Sequence, residues 1–131
     1  EYKEITNCTT RIMIVDTIGI LSSIYQYAAV SYIGGGFNKG IHNTLEAAVY
    51  GKPVVFGPNY QKFREAVEMI EAGCAFPVEN ENDLYLIAQK FLRNETHLKA
   101  AGEKAKAYVS IHSGATKHIL DYVKSNLLFT K

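Results

Sequence analysis

The sequence predicts an α/β fold in which helices flank a parallel sheet, and three observations carry that expectation. Short runs rich in β-branched and apolar residues recur along the chain, each stopped by glycine, proline or aspartate. Between them lie segments of about ten residues with helical spacing of apolar positions, the length a crossover between parallel strands requires. The chain has 131 residues, 47% of them apolar, enough for one domain with a buried core.

Arg11-Ile-Met-Ile-Val15 reads as the first strand, ending at Asp16-Thr17. Ile20, Leu21, Ile24, Tyr25 and Ala28 fall at helical spacing between Gly19 and Ala28, with Asp16 a candidate N-cap or strand-end ligand residue. Ala29–Ile33 is a second strand, halted by Gly34-Gly35-Gly36. A helix is expected from about Ile41, with Leu45, Ala48 and Val49 facing inward, Gly51 as its C-cap and Pro53 beyond. Pro53–Phe56 is the third strand, Lys62–Ala72 a helix closed by Gly73, and Cys74–Val78 the fourth strand. Asn82–Leu92 is an amphipathic helix turning Leu84, Ile87, Ala88 and Phe91 inward, with Asp83 near its positive start. Asn94 caps a helix running to about Val109. Ser113 caps the last one, which carries Ile119, Leu120, Val123 and Leu127, and this helical tail is expected to cover one face of the sheet.

Composition excludes several function classes. Fourteen Lys and Arg against thirteen Asp and Glu leave a net charge of +1, too little for unspecific attraction to nucleic acid or an anionic membrane. The longest apolar candidate for a membrane span, Ile12 to Val30, is interrupted by Asp16, Gly19, Ser22, Ser23 and Gln26. Cys8 and Cys74 lie far apart without CxxC spacing, so neither a zinc site nor a disulfide framework is indicated, and a reduced setting is the simplest reading. No signal peptide opens the chain, which starts at Glu1; it reads as a soluble piece of a longer protein.

Ligands of open parallel sheets bind beyond the carboxyl ends of the strands. Asp16–Gly19, Gly34–Asn43 and Gly57–Tyr60 are all expected there. The triple glycine lets the backbone turn sharply and lets a ligand approach it, or it is a turn with no ligand. It fits neither GxGxxG nor the Walker pattern, since Lys39 precedes Gly40 rather than following it. Free N–H groups near the helix start favour an anion such as phosphate. Glu46 follows Asn43 by three residues, so both share a helix face. Its carboxylate suits the two hydroxyls of a ribose diol; equally it suits a capping-box partner for Asn43. His42 has no nucleophile or paired acid beside it, and a structural role is preferred over a general base. His97 and His118 read as surface residues, His112 as a loop residue, and the four histidines show no metal-ligand spacing. Tyr25, Tyr32 and Tyr108 read as core or half-core.

Taken in order, Asp16-Thr-Ile-Gly19, Gly34-Gly35-Gly36, His42-Asn43-Thr44-Leu45-Glu46, Gly51-Lys-Pro-Val-Val-Phe-Gly-Pro58 and Ser113-Gly114-Ala115 resemble one pattern. It is that of the C-terminal, donor-binding domain of 3-deoxy-D-manno-octulosonic acid (Kdo) transferases, within the GT-B glycosyltransferases. The resemblance covers roughly residues 11 to 116. It implies a Rossmann-like domain and CMP-Kdo as donor, contacted by Ile18, Gly19, Ile20, Asn43, Thr44, Leu45 and Glu46, with Gly35, Gly36 and His42 in support. It further implies a lipid A precursor as acceptor in lipopolysaccharide biosynthesis, inversion at the anomeric carbon, and no metal or cofactor. The catalytic glutamate would lie in an N-terminal domain outside this chain, and the whole enzyme at the cytoplasmic face of the inner membrane of a Gram-negative bacterium. Two features depart from the pattern: Ile20 follows Gly19 where many members carry an acidic residue, and the loop from Gly34 to His42, with Phe37 to Lys39, is one residue shorter. The alternatives are a GT-B transferase using a UDP-sugar and a noncatalytic α/β ligand-binding module.

Overall fold

The computed structural model describes residues 11–126; Cys8 and Leu127 lie outside them. Three strands, β1 (Ser31–Ile33), β2 (Val54–Phe56) and β3 (Ala75–Pro77), form a parallel sheet in the order β1-β2-β3. The register pairs Ile33 with Phe56 and Phe56 with Pro77, so all three strands end at one edge. The helix α1 (Leu21–Ile24) and the 3-10 turn Tyr25–Tyr27 precede β1. The crossovers are α2 (Leu45–Ala48) and α3 (Arg64–Glu71), and α4 (Glu81–Arg93), α5 (Glu95–His112) and α6 (Ala115–Ser125) follow the sheet. The expected α/β Rossmann-like class is the one observed.

Burial explains the strand assignments. Val54, Val55 and Phe56 are all buried, as a central strand covered on both faces must be. β1 alternates instead, with Ser31 and Ile33 buried and Tyr32 45% exposed. Ile33, Val54, Phe56, Ala47, Ala48, Ala66, Met69 and Cys74 form the core, joined by Ala105 and Tyr108 from α5. Asn80 caps α4 by accepting from the N–H groups of Asn82 and Asp83, and Asn94 caps α5 by accepting from His97. The C-cap of α2 is Val49 rather than the expected Gly51, which at φ +67° closes the turn that follows, its N–H donating to the Ala48 carbonyl at 2.9 Å.

Several expectations are corrected. Arg11–Val15 is not a strand: Ile12 and Ile14 are 79% and 87% exposed. None of β1 to β3 pairs with this run, so its backbone donors and acceptors have no ladder to join among the described residues. The helix expected from Ile41 begins only at Leu45, because the His42 N–H is held by the Gly34 carbonyl at 3.1 Å. That delay shifts the helical phase: Ile41, Thr44, Ala47 and Ala48 are buried, while Leu45 and Val49 are exposed. On α4 only Phe91 is fully buried, and Leu84 is exposed. Asp16 caps nothing, since α1 starts after Ile20. Ser113 ends α5, its hydroxyl donating to the Ser110 carbonyl, and Gly114 at φ +104° opens α6. α6 has no buried residue, with Ile119 63% and Leu120 48% exposed, so covering the sheet falls to the other helices.

Two histidines also sit elsewhere than expected. His97, in the first turn of α5, stacks on Phe91 at 5.4 Å and meets Phe76, because that turn folds back on α4; its Nε2 is buried without a partner. His112 is the last residue of α5, its Nδ1 2.9 Å from the Tyr108 carbonyl oxygen. His118 is exposed, as expected.

Candidate functional site at the carboxyl edge of the sheet

The parallel register places the loop after β1, residues 34–44, beside the loop after β2, residues 57–63. The two are bound together: the Asn59 N–H donates to the Gly36 carbonyl at 2.8 Å, and the Asn59 side-chain amide to the Asn38 carbonyl at 2.9 Å. At their crossing no side chain fits. A Cβ on Gly36 would lie 2.6 Å from the Gly57 nitrogen, and one on Gly57 would lie 2.7 Å from the Gly36 carbonyl carbon. Gly35, at φ +90°, folds the loop back until a Cβ there would meet the Gly40 oxygen at 2.3 Å. These glycines therefore let the two loops fold closely on each other.

The Asn43–Glu46 pair is assembled at the start of α2. The Leu45 N–H donates to Asn43 Oδ1 at 3.0 Å, and the Asn43 amide donates to Glu46 Oε1 at 3.1 Å. Asn43 thus holds the first N–H of α2 and at the same time orients the carboxylate, leaving the second carboxylate oxygen for another donor. Glu46 is partly exposed, whereas Thr44 is fully buried with its hydroxyl unpaired. The imidazole of His42 lies over Gly34 and Gly35, within 4 Å of where their Cβ atoms would be, and the residue is exposed. Tyr25, read from sequence as core or half-core, is half-buried near Glu46: burial and then the Glu46 charge push its phenol above the ordinary tyrosine value. Its neutral hydroxyl at physiological pH is a neighbouring donor that no sequence motif signalled.

Ile18, Gly19 and Ile20 are placed differently. Ile18 is 99% exposed, and Gly19, at φ +94°, has nothing within 4 Å of its Cβ position. The turn follows no strand, so the sheet register does not set its position; only α1 and the 3-10 turn, which packs on α2, connect it to the Glu46 region. A cavity of about 250 Å³ opens at the carboxyl edge, lined by Asn38, Lys39, Asn59, Gln61, Lys62 and Phe63. A larger one, about 450 Å³, lies at the opposite end of the strands around Lys52, Pro53 and Gly102, away from the edge where parallel sheets bind ligands. Among the described residues no group of three His, Cys, Asp or Glu could hold a metal ion, and no helix is long and apolar enough to cross a membrane.

A parallel α/β unit with its special loops gathered at the strand ends defines the class: a Rossmann-like α/β domain. No protein-family model matches the chain. It is 32% identical over 112 residues to the 3-deoxy-D-manno-octulosonic acid transferase of Bordetella pertussis, a stretch that is 84% of this chain and 26% of that protein. The transferase of Rickettsia typhi is 31% identical over 116 residues, 86% of this chain and 25% of the relative. Among solved structures, the C-terminal CMP-Kdo binding domain of WaaA from Acinetobacter baumannii matches with a TM-score of 0.66 and 26% identity, over 72% of this chain and 51% of that one. In sequence and in fold, then, the chain resembles the C-terminal domain of Kdo transferase. It spans about a quarter of the length of these curated relatives.

Proposed function

We propose that this chain is part of the donor-binding half of an inverting glycosyltransferase that moves Kdo from CMP-Kdo to a lipid A precursor. The observation that carries the reading is the match in fold and sequence to a solved domain described as binding CMP-Kdo. The site geometry supports it. Glu46, oriented by Asn43, accepts the two ribose hydroxyls of the cytidine, and the main-chain N–H of Asn43 faces the phosphate. Gly35, Gly36 and His42 shape the floor, and the turn Ile18–Ile20 contributes main-chain contacts, since Ile20 offers no charge to a donor. The loops hold the leaving nucleotide in place while another domain supplies the glutamate base and the acceptor site at the inner membrane. The reading invokes no metal or cofactor.

The test is calorimetric titration of the chain with CMP and with UDP. Saturable CMP binding with weaker UDP binding is expected, together with no Kdo transfer by the chain alone. Tighter binding of UDP would move the assignment to a transferase using a UDP-sugar. Binding of neither nucleotide would remove the donor-site reading.

A further inference from the structure

The cavity at the carboxyl edge has a character that the nucleotide reading does not use. Lys39 comes to it from the loop after β1 and Lys62 from the loop after β2, so two exposed lysines from separate segments line about 250 Å³. No acidic residue lines it, and among the described residues the ion pairs are Arg64–Glu68, Lys99–Glu95 and His112–Glu68, none of which involves either lysine. The nearest acid in sequence, Glu65, sits in the first turn of α3 and is not among the lining residues.

The rest of the lining is neutral and partly committed. The Asn59 amide is spent on the Asn38 carbonyl and the Gln61 amide on the Pro58 carbonyl at 2.9 Å, which fixes both side chains. Phe63 stands at the N-cap position of α3 with no side chain capping that helix, so the positive end of an eight-residue helix abuts the same cavity. Two cations, an uncapped helix start and no compensating carboxylate make a site for a small anion.

We propose that this cavity is an anion subsite of the donor site, taking the carboxylate of an acidic sugar through Lys39 and Lys62. The inference rests on reading the edge as a nucleotide-sugar site: a donor held at Glu46 by its ribose extends its sugar along the same strand-end edge, and the transferred sugar of the relatives is an octulosonic acid.

The experiment is NMR titration of the chain with free Kdo, with its methyl ester, with inorganic phosphate and with CMP. The same titrations are run on Lys39→Gln, Lys62→Gln and the double variant. Kdo should move the side-chain amide signals of Asn59 and Gln61 saturably. Each single variant should weaken it about tenfold, as should esterification, and the double variant should abolish it. CMP affinity of the double variant should stay within about threefold of the parent, which also shows that the variant is folded. Equal Kdo binding by parent and double variant, equal binding of acid and ester, or saturation by phosphate without Kdo binding would each overturn the subsite. Absence of CMP binding alongside lysine-dependent Kdo binding would instead overturn the nucleotide reading and leave the subsite standing.

Discussion

Replacing Gly36 by alanine separates a glycine needed for chain packing from one needed for ligand approach. The new Cβ would sit 2.6, 2.7 and 2.9 Å from the nitrogen, Cα and carbonyl carbon of Gly57, all backbone atoms with no rotamer to yield. Relief requires the two loops to separate by several tenths of an ångström, an overpacking cost of about 1–3 kcal/mol. The same separation stretches the Asn59 N–H to Gly36 carbonyl bond, now 2.8 Å, worth about 1 kcal/mol more. A total of about 2–4 kcal/mol lowers the melting temperature by roughly 6–20 °C for a chain of this size. Gly34→Ala is the control, since a Cβ there meets only His42 Cδ2 at 3.7 Å and φ lies outside the left-handed region. It should melt within a few degrees of the parent. Circular dichroism melts of the three proteins, with CMP titrations beside them, make the comparison. If Gly36→Ala melted with Gly34→Ala, or lost CMP affinity without losing stability, the packing account of the glycine loop would be refuted.

Three further outcomes are expected. Glu46→Gln should weaken CMP binding about ten- to a hundredfold in calorimetry, the worth of a charge-assisted hydrogen bond of about 1.5–3 kcal/mol. It should melt near the parent, because its amide oxygen can still accept from Asn43; unchanged affinity would reduce Glu46 to a helix-start residue. Burial pushes the Cys74 thiol up to about 11, so in a Cys8→Ser background native protein should react slowly with a thiol reagent at pH 8, far more slowly than denatured protein. The unfolded thiol ionises first, so stability should also fall as pH rises from about 8.5 toward 11, and Cys74→Ala should flatten that part of the stability profile. Hydrogen bonds from Tyr108 at 2.7 Å, and then from Arg64, hold the Glu68 carboxyl below the usual range. Its stabilisation is present above the unfolded value near 4.5 and lost as pH falls through the lower folded value; Glu68→Gln should therefore show a shallower loss of stability between pH 5 and 3.

Much of the candidate site was legible because its signals are local. The Asn43–Glu46 spacing sets a shared helix face whatever the rest of the fold does, and the hydrogen bond between them follows from three residues of sequence. The cap Asn94 was readable for the same reason. Tyr25 was not, because its proximity to Glu46 depends on how a 3-10 turn packs on α2, across twenty intervening positions. Nor was the pairing of Lys39 with Lys62, which share a cavity only because adjacent parallel strands end together.

By itself the sequence determined the alternation of strands and helices, the strand-end loops and the resemblance to Kdo transferases, since periodicity, turn residues and motifs are properties of short stretches. Tertiary structure alone decided which apolar runs become strands. Arg11–Val15 has the composition of a buried strand, yet a strand exists only where a neighbour accepts its backbone hydrogen bonds, and β1 to β3 do not include that neighbour. It likewise decided the phase of α2 and the face His97 turns to Phe91, because a helix of four residues or a first-turn side chain takes its direction from what it packs against.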